Sequence, residues 1–350
     1  MTSFRKSTLL TGLAATGLAA AGLAAAATAF AAGPDSSLLA DAKRVFAPLP
    51  AAPSGATPQA ELGRRLFFET RVSADGNVSC SHCHLPEKQG ADGLPKSFGV
   101  FGKINPRNAP TIFDAALQFK AHWRGDRETI EEQAEKSPTG AVSFGNPDFA
   151  TVIAKLKSIP GYGQAFAEAF PGEADPVTQK NWGSAIGAFE RTLPQPTRFD
   201  AFLNGDAKAL TPAEQAGLRK FIDIGCVGCH DGVGVGGTSF AKFGVVSDYW
   251  KETGVAEPDK GRADVTKKDD DLYVFKVPSL RNVAKTGPYF HDGSVAELPQ
   301  AVRVMGKTQL GVALSAKDVE AITAFLGALT QPTPANYSAP TPFPEAAAKQ

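Results

Sequence analysis

Methionine is nearly missing from this chain: 350 residues contain two, and one of them is the initiator. Cysteine is almost as scarce, with four, too few for a disulfide-dense scaffold. A net charge is lacking too. Lys+Arg and Asp+Glu each number 36, so there is no basic footprint of the kind nucleic-acid binders carry, and nucleic acid is excluded as a partner. The densest charge run, KKDDD at 267–271, reads as a solvated loop. Alternating strand-like runs are few, whereas Gly (35) and Pro (26) are plentiful. That balance predicts a mainly helical protein with long loops and little β structure. DGVGVGG at 231–237 has no strand before it and reads as one of those loops rather than a dinucleotide fingerprint.

The one long apolar run sits at the start. MTSFRKS gives way to an Ala/Leu/Gly stretch ending at Ala29-Phe30-Ala31, the pattern of a secretory signal peptide over 1–31, cleaved near Ala31. The run is long enough to span a bilayer, but it is weakly apolar and its Ala-x-Ala end favours cleavage. No Arg-Arg pair precedes it, which fits general export. The expectation is a periplasmic protein with no stable membrane insertion. A Pro/Ala-rich lead-in follows at 47–58.

Two segments then repeat one design. TPQAELGRRLF (57–67) and TPAEQAGLRKF (211–221) each open on Thr-Pro and place Phe ten residues later, shortly before a CxxCH. Thr caps, Pro suits the first helical turn, and Thr211 with Glu214 forms a capping box. Near the end, 315–329 is amphipathic with Ser315 and Asp318 in capping positions. A helix before each CxxCH indicates a duplicated unit.

The four cysteines all belong to the two CxxCH motifs. A zinc site needs four ligands close together, yet Cys80 and Cys226 are 146 positions apart. A redox dithiol needs a βαβ context that is absent. Two thiols can instead each add to a haem vinyl group while the next residue presents imidazole to the iron. The motifs therefore predict two covalent haems c, on Cys80/Cys83/His84 and Cys226/Cys229/His230. Met305, downstream of the second motif, is the expected sulfur ligand of haem 2. Between His84 and His122 there is neither His nor Met, His82 lies inside the motif, and Lys88, Lys96 and Lys103 ligate only if deprotonated at a cost. Haem 1 is expected to be open.

With these motifs, the stretches GRRLFFETRVSADGNVSCSHCH, PRNAPTIFDAALQFKAHWRGD, IEEQA, GCVGCH and YVFKVPSLRNVAKTGPYFHDG resemble the bacterial di-haem cytochrome c peroxidases and the related MauG proteins over roughly residues 57–332. The resemblance implies two cytochrome c-like domains. One, over 32–193, would be peroxidatic, the other, over 194–332, would transfer electrons, and the tail 333–350 would return to the first. It implies hydrogen peroxide as substrate and a small cytochrome c or cupredoxin as electron donor. It also implies an electron relay at Trp123, peroxide orientation by Gln133, a calcium ion on Asn108, Thr286 and Pro288, and homodimers. A distal His that caps haem 1 in many members is absent. The position of the catalytic Glu falls on Ser143, which cannot serve as that base. Glu131, Glu132 and Glu135 read as helix-surface charges, with a substitute base among them as the alternative, His122 as a structural hydrogen-bonding residue that could also shuttle protons, and His291 as part of the haem 2 surroundings, with ligation of haem 2 as its alternative. Two other readings compete: a di-haem electron-transfer or sensing protein that has lost peroxidase chemistry, and MauG-like oxidation of a partner protein, against which Met305 argues.

Overall fold

A computed structural model describes residues 36–50 and 57–343. The signal peptide expected over 1–31 lies outside the described residues, as do half of the lead-in and the last seven residues. The described chain is mainly helical, as expected. Its named strands, Phe240–Lys242 and Val274–Lys276, form one antiparallel pair in which Phe240 faces Lys276. No helix among the described residues is long and apolar enough to cross a membrane.

The duplicated design holds at atomic detail. The helix Pro58–Phe67 starts on Thr57, whose hydroxyl accepts from the Ala60 N–H at 3.1 Å. The helix Pro212–Asp223 starts on Thr211, whose hydroxyl accepts from the Glu214 N–H while the Glu214 carboxylate accepts from the Thr211 N–H. Each helix lies against a partner, Gln179–Glu190 for the first and Ala316–Gly327 for the second. The crossings are equivalent. Gly63 and Gly217 both occur six residues after the capping Thr, and a Cβ on either would stand 1.9 Å from a carbonyl oxygen, of Ala185 or Ala321. Only glycine allows that approach. Gly63→Ala and Gly217→Ala should each destabilise the holoprotein by about 2–3 kcal/mol through overpacking, read as a lowered urea midpoint. Substitution at Gly163, where a Cβ meets nothing within 4 Å, should leave the midpoint unchanged.

Around each pair the core closes. One cluster joins Leu62, Leu66, Phe67, Phe113, Trp182, Ile186 and Phe189, and takes in Tyr337 from the tail. A second joins Phe199, Leu218, Phe221, Phe325 and Leu326, and takes in Leu38, Ala42 and Phe46 from the helix Ser36–Val45. Both chain ends thus pack into the core that lies farther away in sequence. A third cluster, with Phe243, Tyr249, Phe275 and Val304, borders Trp123 and Met305. Beneath the second core, buried Arg281 makes a fork to Asp200, with Nη1 at 2.9 Å from Oδ2 and Nη2 at 2.8 Å from Oδ1.

Candidate haem sites

Each CxxCH makes the same tight turn: the carbonyl of the first cysteine accepts from the histidine N–H, at 3.2 Å in Cys80–His84 and 3.0 Å in Cys226–His230. The Phe near the end of each preceding helix packs beside that histidine, Phe67 at 6.4 Å from His84 and Phe221 at 6.3 Å from His230 between ring centroids. Nδ1 of His84 lies 2.9 Å from the Gly90 carbonyl. A carbonyl only accepts, so Nδ1 carries the proton and Nε2 keeps the free lone pair. Burial lowers the pKa of His84 and pushes His230 down to about 4, so both rings are neutral at pH 7, the form that binds a metal. The four thiols are unpaired, and burial raises the pKa of Cys83 to about 11 and of Cys226 to about 12.

Two cavities adjoin these turns. One, of about 380 Å³, is lined by Cys80, Cys83 and His84 together with Gln133, Ser143 and His122. The other, of about 220 Å³ and largely apolar, is lined by Cys226, Cys229 and His230 together with Met305. Two thiols and a neutral imidazole on one wall of a cavity are the donor set that covalent haem requires, and both cavities have it.

Trp123 and Lys276 line both cavities. The Trp123 indole N–H donates to the Asn108 carbonyl at 3.0 Å, and its own carbonyl accepts from the Lys276 N–H at 2.7 Å. Lys276 is buried, its ammonium bonded to the Gln118 side-chain carbonyl, and burial pulls its pKa down to about 8. Asn108, Thr286 and Pro288 all line the second cavity, and their oxygens are neutral, of the type calcium accepts. His291 is buried against Phe275, and its Nε2 lies 3.4 Å from the Tyr249 hydroxyl.

In the first cavity Gln133 donates from Nε2 to the Ser137 hydroxyl at 2.8 Å. The Ser143 hydroxyl donates to the Ser137 carbonyl at 2.8 Å. The carboxylates that could have replaced a base at Ser143 are turned away: Glu131 pairs with Arg191, Glu132 with Lys136, and Glu135 packs on Gly183. Lys88, Lys96 and Lys103 are exposed, as is His82. Four further residues belong to this site and were not singled out in the sequence. Asp126 and Arg127 line the cavity beside His122. Glu190 also lines it, and burial raises its pKa to about 8, keeping the carboxyl protonated at pH 7. Tyr337 stacks on Phe189 at 13° and donates its hydroxyl to the His84 carbonyl. The short spacing in HWRGDR could have paired His122 with Asp126; nothing local marks the other two.

A mainly helical chain with two such turns, each opening on its own cavity, defines a di-haem c-type cytochrome. Comparison with known proteins makes this specific. A family model described as di-haem cytochrome c peroxidase matches residues 57–208. The cytochrome c551 peroxidase of Pseudomonas aeruginosa is 42% identical over 277 residues, 79% of this chain and 80% of that protein. The methylamine utilization protein MauG of Methylophilus methylotrophus is 32% identical over 251 residues, 70% and 71% of the two chains. Among solved structures, a MauG-like protein associated with microbial copper homeostasis superposes with a TM-score of 0.73 at 30% identity, covering 84% of this chain and 96% of that one. The chain belongs to the di-haem cytochrome c peroxidase family, a family of oxidoreductases that carry two haems c.

Proposed function

We propose that this protein reduces hydrogen peroxide to water at the haem held by Cys80, Cys83 and His84, with electrons that a small cytochrome c or cupredoxin delivers to the haem held by Cys226, Cys229, His230 and Met305. The observation that carries this reading is the asymmetry of the two cavities. The chain's one mature methionine lines the His230 cavity, while the His84 cavity is lined by polar groups and no methionine. Sulfur ligation suits electron transfer and an open position suits a small oxidant. On this reading 57–193 forms the peroxidatic half and 194–332 the electron-transfer half, while the helix Ser36–Val45, expected with the first, packs into the second core; the packing of Tyr337 supports a tail that returns to the peroxidatic half.

Bound there, haem iron supplies the redox centre that takes up peroxide and the reducing equivalents. The chain's own residues do the rest. His84 holds its lone pair toward the cavity because Gly90 fixes the tautomer. Gln133, half-buried on the helix Ile130–Lys136, orients peroxide through its side-chain amide. Trp123, bordering both cavities, relays electrons between them. Asn108, Thr286 and Pro288 hold a calcium ion. Export through the predicted signal would carry the enzyme to the periplasm, where it works as a homodimer.

The engaged hydroxyl of Ser143 favours one competing reading, an electron-transfer or sensing protein without peroxidase turnover. Steady-state assay of the holoprotein with hydrogen peroxide and a reduced small c-type cytochrome separates the two. Turnover, with a high-spin haem already present in the fully oxidised protein, is the expected result. Normal haem reduction without turnover would leave the electron-transfer reading, and an oxidised protein that is wholly low-spin would remove the open site.

A further inference from the structure

A peroxidatic site without a carboxylate at position 143 still needs a group that moves a proton between the two oxygens of its substrate. The structure places one in the first cavity. His122 sits on a tight loop closed by the Ala121 N–H donating to the Arg127 carbonyl at 3.0 Å and the Gly125 N–H donating to the His122 carbonyl at 3.3 Å. Its backbone is left-handed, φ 66°, a conformation uncommon for a residue with a side chain and held here by the loop around it. The loop presents His122 to the same cavity as His84 and Gln133.

The ring is oriented as well as placed. Nδ1 of His122 lies 3.3 Å from Oδ1 of Asp126. A carboxylate only accepts, so Nδ1 keeps its proton and Nε2 is the nitrogen left to exchange one. The other carboxylate oxygen of Asp126 is held by Arg124 at 3.2 Å and Arg127 at 3.1 Å. Burial works to raise the pKa of Asp126, but the hydrogen bond from His122 and the two guanidinium groups outweigh it and hold the carboxyl well below the usual carboxylate range. The pair therefore stays a histidine on a fixed anion, the arrangement that makes an imidazole a directed base.

We propose that His122 is the acid–base catalyst of the first haem site, taking the proton from one oxygen of bound hydrogen peroxide on Nε2 and returning it to the other oxygen as the O–O bond breaks. The departing oxygen leaves as water with the bonding pair. Two electrons from the reduced donor and two protons from solvent turn the remaining oxygen into the second water, and His122 ends unchanged. Asp126 acts through His122 as its positioning residue. This assignment rests on the peroxide reading above and deepens it.

The test uses ligand binding to the holoprotein rather than turnover. Hydrogen cyanide must lose a proton as it binds oxidised haem, whereas carbon monoxide binds reduced haem with no proton transfer. In His122→Phe and His122→Gln, cyanide association at the first haem should slow by about 100-fold, and carbon monoxide association should not change. Asp126→Asn should slow cyanide by less, again without touching carbon monoxide. Unchanged cyanide rates in both His122 variants, or equal slowing of both ligands, would overturn the assignment and leave His122 a structural residue. So would an oxidised first haem that is low-spin in the wild type and becomes high-spin on removing His122, because His122 would then be bound to the iron. If cyanide binding depends on His122 but the wild type never consumes peroxide, His122 stands as the site's base and the peroxide reading alone fails.

Discussion

Alanine at both Cys80 and Cys83 should leave a chain carrying one haem instead of two, with peroxide turnover abolished and the remaining haem still reducible. The reason is the separation of the two donor sets: each cavity has its own pair of thiols and its own histidine, and none of these groups is shared. Removing one pair deletes the covalent tether on one side alone. Alanine at Cys226 and Cys229 should give the mirror result, one haem in the first cavity and a protein that its donor can no longer reduce. Haem content per chain, measured as the pyridine complex beside intact mass, decides the matter. Two haems surviving in either variant, or loss of both from one pair of substitutions, would sink the two-site account.

Arg281→Met should cost about 3–5 kcal/mol of stability, because it strands the buried carboxylate of Asp200 without its counter-ion. The fork is deeply enclosed, with 1% and 2% of the two side chains exposed, so solvent does not soften the loss. Arg281 also donates from Nε to the Val233 carbonyl at 2.7 Å, tying the loop after the second CxxCH to the same point. The pH dependence has a definite sign. Burial acts to raise the pKa of Asp200, but the hydrogen bonds and charge of Arg281 outweigh it and the net shift is downward. A carboxyl depressed in the folded state contributes stability above its unfolded pKa and loses it as pH falls through the folded value. In Arg281→Met the depressing partner is gone and protonation relieves the stranded charge. The deficit against wild type should therefore be greatest near pH 7 and shrink toward about pH 4, near the ordinary aspartate value. Urea midpoints of the holoproteins at the two pH values test this. A deficit of about 1 kcal/mol or less, the size of an exposed pair, would show that Asp200 finds other compensation.

What could be read from the sequence was local. The CxxCH turns, the Thr caps at 57 and 211 and the Ser cap at 315 are each specified within about ten residues, and the helices begin where those side chains place them. Met305 stood out only because methionine is so scarce. Features that escaped depend on residues brought together from far apart. The helix Ser36–Val45 reads as a prelude to the first site yet buries Leu38 and Phe46 in the second core. Arg281 meets Asp200 across 81 positions. His122 read as a structural hydrogen-bonding residue that could also shuttle protons; its partner Asp126 and the cavity it lines become visible only when the loop closes. Ser143 reads as a poor base, and the fold adds that its hydroxyl is already engaged with two carbonyls.

The grip of Tyr337 on the carbonyl of His84 joins groups 253 positions apart. Arg64, Arg65 and Arg71 extend it by donating to the carbonyls of Ser338, Thr341 and Phe343. The rear wall of the earlier haem-binding turn is thus closed by contacts of very long sequence separation, whose loop-closure entropy makes them slow to form.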